Sequence, residues 1–193
     1  MEQTVALKYD RFRLNDDEFY DFCVQNDNLK FERDSSGNIY IMANTGGITG
    51  NMNAELSYEF VGWNRSAKLG KVFDSSTTFR LPSTAARSAD VAWIKNENWE
   101  SLTLAQQSKF PPLCPDFVLE LMSNTDTIKE AQKKMNDDWM ANGCKLGWLI
   151  NPKNQTTYIF RENQPLETIK GFNVKLSGEQ ILLGFELDLA LLK

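Results

Sequence analysis

Hydrophobic residues recur along this chain with two periods, and the switches between them mark its elements. From Asn51 to Lys68, the residues Leu56, Phe60, Trp63 and Ala67 return at the spacing of a helix with one buried stripe. Gly70 suits the end of that helix. Asn15 to Asn26 reads as a shorter amphipathic helix, capped by Asn15 or Asp16, with Phe19, Phe22 and Cys23 turned inward. Between the two helices, Leu29 to Arg33 and Asn38 to Ala43 read as a hairpin joined by Asp34-Ser35-Ser36-Gly37.

Strand patterns follow. Lys71 to Asp74, Thr77 to Leu81 and Ala89 to Lys95 are short strands. The segment from Asn96 to Pro115 is a polar connection with a helical turn near Leu104 to Ser108. Phe117 to Met122 is strongly apolar, as expected of a central strand covered on both faces. A helix is predicted from about Asp126 to Asn142, ended by Gly143. Leu146 to Ile150 and Thr156 to Arg161 are further strands. The tail, with Leu176 and the segment 181–192, reads as irregular edge structure closing the core. Strands from distant parts of the chain, separated by helices, predict an α/β (α+β) fold with a mixed central sheet flanked by helices. A chain of 193 residues suits one domain. Its N-terminal helix and hairpin, about residues 1–45, are expected to pack on the main core.

Composition removes several classes of function. No apolar run reaches the roughly 18 residues of a membrane span. Met1-Glu2-Gln3-Thr4 does not open a signal peptide. Cys23, Cys114 and Cys144 are odd in number, far apart and in apolar company. They read as reduced thiols of a cytoplasmic protein, not a disulfide frame or a zinc site. There is no histidine, which excludes Ser-His-Asp and Cys-His catalysis and imidazole metal ligands. Any catalysis rests on carboxylates, lysine, hydroxyls or a bound ion. Thr45-Gly46-Gly47-Ile48-Thr49-Gly50 lacks the lysine and spacing of a phosphate-binding loop. A net charge of -5 argues against coating nucleic acid by bulk attraction, and leaves room for a local basic groove. The cluster of Arg11, Arg13 and Lys30 reads as solvated surface. Trp63, Trp93, Trp139 and Trp148 fall at core periodicities.

Two carboxylates stand where the pattern calls for apolar residues. Glu120 lies inside Phe117-Val118-Leu119-Glu120-Leu121-Met122. A carboxylate there is costly unless something pairs with it. Asp90 opens Asp90-Val91-Ala92-Trp93-Ile94. Two carboxylates on two core strands supply the hard oxygen ligands that a magnesium ion takes. In phosphodiester cleavage such an ion stabilises phosphate charge and lowers the pKa of the attacking water. The plainer alternatives are a structural ion pair for Glu120 and a turn cap for Asp90. Asp116 lies four strand residues from Glu120, roughly 13 Å at 3.3 Å per residue. That is too far to share one ion, so Asp116 reads as leading the chain into the strand.

The stretches Arg87-Ser88-Ala89-Asp90-Val91-Ala92-Trp93, Leu113-Cys114-Pro115-Asp116-Phe117-Val118-Leu119-Glu120-Leu121-Met122-Ser123 and Asn142-Gly143-Cys144-Lys145-Leu146-Gly147-Trp148-Leu149-Ile150-Asn151-Pro152 resemble the Uma-two-type family of predicted restriction endonucleases. That family belongs to the PD-(D/E)XK nuclease superfamily. The resemblance runs from about Leu29 to Leu192 and takes in Thr45 to Gly50 and Phe73-Asp74-Ser75-Ser76-Thr77. It implies a restriction-endonuclease-like mixed sheet, a site for Mg2+ or Mn2+, and endonucleolytic hydrolysis of DNA.

Carried over by position, Asp90 matches the first metal-binding aspartate and Glu120 the glutamate of the E-x-K element. The lysine of that element belongs two residues on, on the same strand face, where this chain has Met122. The family commonly moves it to the following helix. On a wheel of about 100° per residue, Ile128, Ala131, Met135 and Trp139 form one inward stripe. Lys134 lies about 100° from its centre, at the edge, and Lys133 points to the opposite side. Lys134 is therefore the catalytic candidate, its ammonium orienting the water and stabilising developing charge; the alternative is a solvated helix lysine. The interval from Lys134 to Asn142-Gly143 is one residue longer than in the family pattern, which puts Asp138 one turn from Lys134, where the two can pair. Glu55 matches a carboxylate that the superfamily often places near the metal. It stands as a second-tier metal ligand, or else as an exposed helix residue. Cleavage of both strands of a duplex needs two sites, hence a homodimer. The rival reading is a catalytically degenerate nuclease-fold module used in binding or assembly. A third, hydrolysis of another phosphate ester, uses the same ligands.

Overall fold

The computed structural model describes residues 5–7 by their backbone, and residues 13–193; Arg11 lies outside them. The elements are β1 (Val5–Leu7), α1 (Asp16–Gln25), β2 (Phe31–Arg33), β3 (Ile39–Ile41), α2 (Gly47–Ala67), β4 (Gly70–Asp74), β5 (Phe79–Arg80), β6 (Ala86–Arg87), β7 (Val91–Lys95), α3 (Asn96–Glu100), α4 (Leu104–Gln107), β8 (Phe117–Leu121), α5 (Ile128–Lys133), β9 (Leu146–Asn151), β10 (Thr156–Arg161), β11 (Glu167–Lys170), β12 (Lys175–Ser177) and β13 (Glu186–Asp188). The helix begun by α5 continues as a π turn, Lys134–Trp139, and a 3-10 turn, Met140–Asn142. It ends at Gly143, whose φ of 105° suits a residue without Cβ.

Six strands form the main sheet in the order β11-β10-β9-β8-β7-β4. β8 and β9 run parallel, and the other pairs are antiparallel. The parallel pair needs a crossover, which the helix from α5 to Asn142 supplies. β8 is apolar on both faces because both are covered. Phe117, Leu119 and Leu121 pack with Leu56 and Phe60 of α2. Val118 and Met122 pack with Met135 and Trp139 of the crossover helix. This is the mixed sheet flanked by helices that the pattern predicts.

A second sheet has the order β1-β3-β2-β6-β5. Its hairpin β2–β3 turns at Gly37, with φ of 87°. Arg33 pairs with Ala86, so the N-terminal hairpin shares a sheet with the residues just before Asp90. That pairing brings Glu32 beside Arg87 and Ser88.

Three local expectations change. α2 begins at Gly47, not Asn51, with Gly46 at its cap and no capping side-chain bond. A glycine-rich first turn has poor helix propensity, which hid it. Gly70 does not end α2. Lys68 takes the left-handed conformation there, with φ of 55°. Gly70 lies in β4, where a Cβ would stand 2.2 Å from the Ile94 carbonyl oxygen and 2.5 Å from the Trp93 ring. The tail is regular, not irregular. β11 extends the main sheet, β12 pairs with β13, and Phe172, Leu176, Leu182 and Leu187 are buried in the core. Strands of three or four residues show too few alternations to be read from sequence.

Asp116 is nearly buried, and accepts the Lys95 N–H at 2.9 Å and the Asn98 amide at 2.9 Å. It joins α3 to β8. The three cysteines are free. Among the described residues no helix is long and apolar enough to cross a membrane.

Candidate active site

β7 and β8 pair with Val91 against Leu119 and Ala92 against Val118. One further step of that register sets Asp90 against Glu120. The ladder ends there, and the Asp90 side chain takes over as acceptor. Its Oδ2 accepts the Leu121 N–H at 2.7 Å, and its Oδ1 accepts the Asn53 amide at 2.9 Å. Asp90, Glu120 and Lys134 line one cavity of about 760 Å³. Such a volume is in the range of ligand pockets.

Glu120 is held from the crossover helix. Its Oε1 is 2.9 Å from Lys134 Nζ and accepts Trp139 Nε1–H at 2.8 Å. Oε2 has no hydrogen-bond partner among the described residues. Lys134 Nζ also donates to the Ser88 carbonyl at 3.0 Å and stands 3.5 Å from Glu32 Oε1.

The π turn explains the double contact on Oε1. On an α-helix residues five apart point about 140° away from each other. The wider i to i+5 turn brings Lys134 and Trp139 to one side. Asp138, one turn on from Lys134, forms no ion pair with it. It pairs instead with Arg87, whose Nε is 2.9 Å from Asp138 Oδ2. Lys133 pairs with Asp137 on the exposed side.

Glu32, which the sequence pattern did not single out, completes the group. It is 3% exposed. Its Oε2 is 3.0 Å from Arg87 NH1, and its Oε1 accepts the Ser88 N–H at 3.1 Å. A chain of alternating charges thus runs from Glu120 through Lys134, Glu32 and Arg87 to Asp138. Its partners are up to 102 residues apart, beyond any local signal.

Three carboxylates therefore face one ammonium. Burial pushes the Glu120 carboxyl up to about 7; Lys134 opposes this, while Asp90 and Glu32 add to it. Burial also pushes Asp90 up, against the Leu121 N–H and Lys134. For Lys134, burial disfavours the charge, but Glu120 and Glu32 outweigh it and hold the ammonium above the usual lysine range. Glu32 goes down on balance: burial raises it, and Lys134, Arg87 and the Ser88 N–H more than offset that.

The donor set fits a divalent cation. Magnesium takes one or two carboxylates and completes its shell with water and substrate oxygens. Asp90 and Glu120 are such a pair, with an unpartnered Glu120 oxygen. Among the described residues no three Asp, Glu or Cys side chains are grouped to hold an ion. Glu55 is exposed on α2 and does not line the cavity. Asn53, two residues earlier, reaches Asp90 in its place. On the α2 wheel Asn53 lies about 60° from buried Leu56, and Glu55 about 100° away on the other side. Lys30 is exposed, as a solvated surface residue should be, and it also lines the cavity, donating to the Ser75 carbonyl.

The cluster sits at the β7–β8 end of the six-stranded mixed sheet. A crystal structure of a putative nuclease belonging to DUF820, from Anabaena variabilis, is similar with a TM-score of 0.70 and 15% sequence identity, over 84% of this chain and 88% of that one. The Uma2 family, described as "Putative restriction endonuclease", matches residues 16–190. The chain belongs to that family. No curated protein matches it.

Proposed function

We propose that this protein is a magnesium- or manganese-dependent endonuclease that hydrolyses phosphodiester bonds in DNA. One observation carries the reading: strand register sets Asp90 opposite Glu120 in a cavity where Lys134 stands 2.9 Å from Glu120. Asp90 and Glu120 are the residues that hold the ion. A divalent ion bound there supplies Lewis acidity to a phosphate oxygen and to the attacking water.

The chain's own residues have separate tasks. The Leu121 N–H and the Asn53 amide fix the Asp90 carboxylate. Trp139 fixes Oε1 of Glu120. Lys134, charged at neutral pH, offers N–H donors to the water and to the oxygens that gain charge as phosphorus is attacked. Glu32 and the Ser88 carbonyl keep that ammonium at Glu120. A homodimer, with one such site for each strand, is part of the proposal.

Calorimetric titration with magnesium and manganese, paired with cleavage of duplex DNA, tests the reading. Wild type is expected to bind both ions, and Asp90→Ala to bind them at least about tenfold more weakly. Lys134→Met is expected to cut about a hundredfold more slowly. If wild type binds neither ion and Asp90→Ala changes nothing, the enzyme reading falls. A degenerate module for binding or assembly then takes its place.

A further inference from the structure

The described residues that line the cavity carry five carboxylates and two lysines. A cavity with that balance repels a polyanion unless its cations are well placed. Lys134 has its charge met by Glu120, Glu32 and the Ser88 carbonyl. Lys30 differs. Among the described residues no carboxylate lies within ion-pair distance of it, and its ammonium donates to a main-chain oxygen, that of Ser75. It is exposed, and its charge acts on both Asp90 and Glu32. Ser75 lies in the turn between β4 and β5, so Lys30 is tied to a different wall from Lys134. The hydroxyl residues Thr45, Thr49, Ser75 and Ser76 line the same cavity. Lysine and small hydroxyl side chains are the groups that contact nucleic-acid phosphates.

We infer that Lys30 forms a subsite for a second backbone phosphate, flanking the one that is cut. The inference rests on the nuclease reading and narrows it. That reading gives Lys134 to the phosphate at Asp90 and Glu120, so a second lysine on another wall, with no ion-pair partner among the described residues, suits a substrate with consecutive phosphates. The site then takes a nucleic-acid strand in preference to a small phosphate ester. Ser75 releases the ammonium as the phosphate takes its place.

The test is equilibrium binding of a short fluorescent DNA duplex, followed by anisotropy across a salt series with calcium present. Lys30→Met keeps the aliphatic stem and removes the charge. It is expected to make the log–log salt slope shallower by about 0.9, the value of one phosphate contact. Lys30→Arg is expected to restore the slope. Lys153→Met removes an equal charge from an exposed position outside the cavity and is expected to leave it unchanged. A wild-type slope in Lys30→Met, with melting temperature retained, overturns the inference and leaves the nuclease reading intact. An equal change in Lys153→Met overturns it too, since the effect is then bulk charge. If wild type binds no duplex at any salt concentration, the inference and the reading beneath it both fall.

Discussion

Lys134 and Trp139 reach the same carboxylate oxygen, Oε1 of Glu120, although they stand five positions apart on one helix. Only the π turn makes this possible, and it does so at the carboxylate on which the proposed chemistry depends. π turns recur at functional sites for this reason: they re-aim side chains at the expense of regular hydrogen bonding.

Trp139→Phe isolates one of the two contacts. A smaller aromatic ring stays in the core, and the N–H goes. Glu120 loses a donor to its charged form, so its pKa moves above about 7. Magnesium affinity at pH 7 is expected to fall about tenfold. The deficit should shrink by pH 9, where the carboxyl is ionised in both proteins. Calorimetry at the two pH values checks this. An equal deficit at both would mean that Trp139 acts by packing alone.

The raised pKa of Glu120 also makes stability depend on pH. Its folded value, about 7, exceeds the reference value of 4.5. The folded state therefore holds the proton more tightly, and the associated stability is fully present below pH 4.5 and lost as pH rises through 7. Asp90 is shifted the same way. Glu32 is shifted down, so its contribution is lost only as pH falls below the ordinary carboxylate range. Between pH 5 and 7.5 the first two dominate. Without added metal, urea unfolding is expected to show stability falling across that window by on the order of 3 kcal/mol. Glu120→Gln should flatten most of the slope. A wild-type curve that rises through the window would contradict the assigned burial of Glu120.

The fold was legible where elements are long and periodic, and much of the site with it. The α2 stripe, the apolar β8 and the helix ended by Gly143 all announce themselves. Asp90 and Glu120 were visible as carboxylates in apolar strands, and the structure brings them together with Lys134. Glu32 was not visible. Leu29-Lys30-Phe31-Glu32 alternates as a half-exposed strand does, and the residues that cover Glu32 come from β6 and the crossover helix. Lys30 is exposed, as the alternation implies, and nothing local shows that it also lines the cavity. The choice between Glu55 and Asn53 turned on where α2 sits over the sheet, which the wheel alone does not give.

The buried charge chain has its own consequence. Arg87 bridges Glu32 and Asp138, and is 12% exposed by its side chain. Arg87→Met leaves the buried carboxylates of Glu32 and Asp138 without their guanidinium partner. It is expected to destabilise the fold by about 3–5 kcal/mol, as breaking a buried pair does. Glu32→Gln with Arg87→Met should cost less than the sum of the two single changes, because both remove the same Glu32–Arg87 pair. Denaturant unfolding of the four proteins of this cycle measures the coupling. Additive costs would show that the two side chains do not interact.

The last prediction separates position from chemical type on α2. Glu55 is the carboxylate that the family resemblance points to, yet it is exposed and outside the cavity. Asn53 is neutral, yet its amide donates to Asp90 Oδ1 at 2.9 Å. A group that orients a metal-binding carboxylate is worth about tenfold to a hundredfold in metal affinity. Asn53→Leu keeps the side-chain shape and removes the donor, so magnesium should bind more weakly by that factor. Its stability should fall by about 1.5–3 kcal/mol, the cost of a lost hydrogen bond to a charged group. Glu55→Ala should leave both quantities unchanged, within about 0.5 kcal/mol for an exposed residue. Calorimetric titration of the two variants, with melting curves alongside, decides between them. If Glu55→Ala weakens magnesium binding and Asn53→Leu does not, α2 supplies its ligand through Glu55, and the hydrogen bond to Asp90 is only structural.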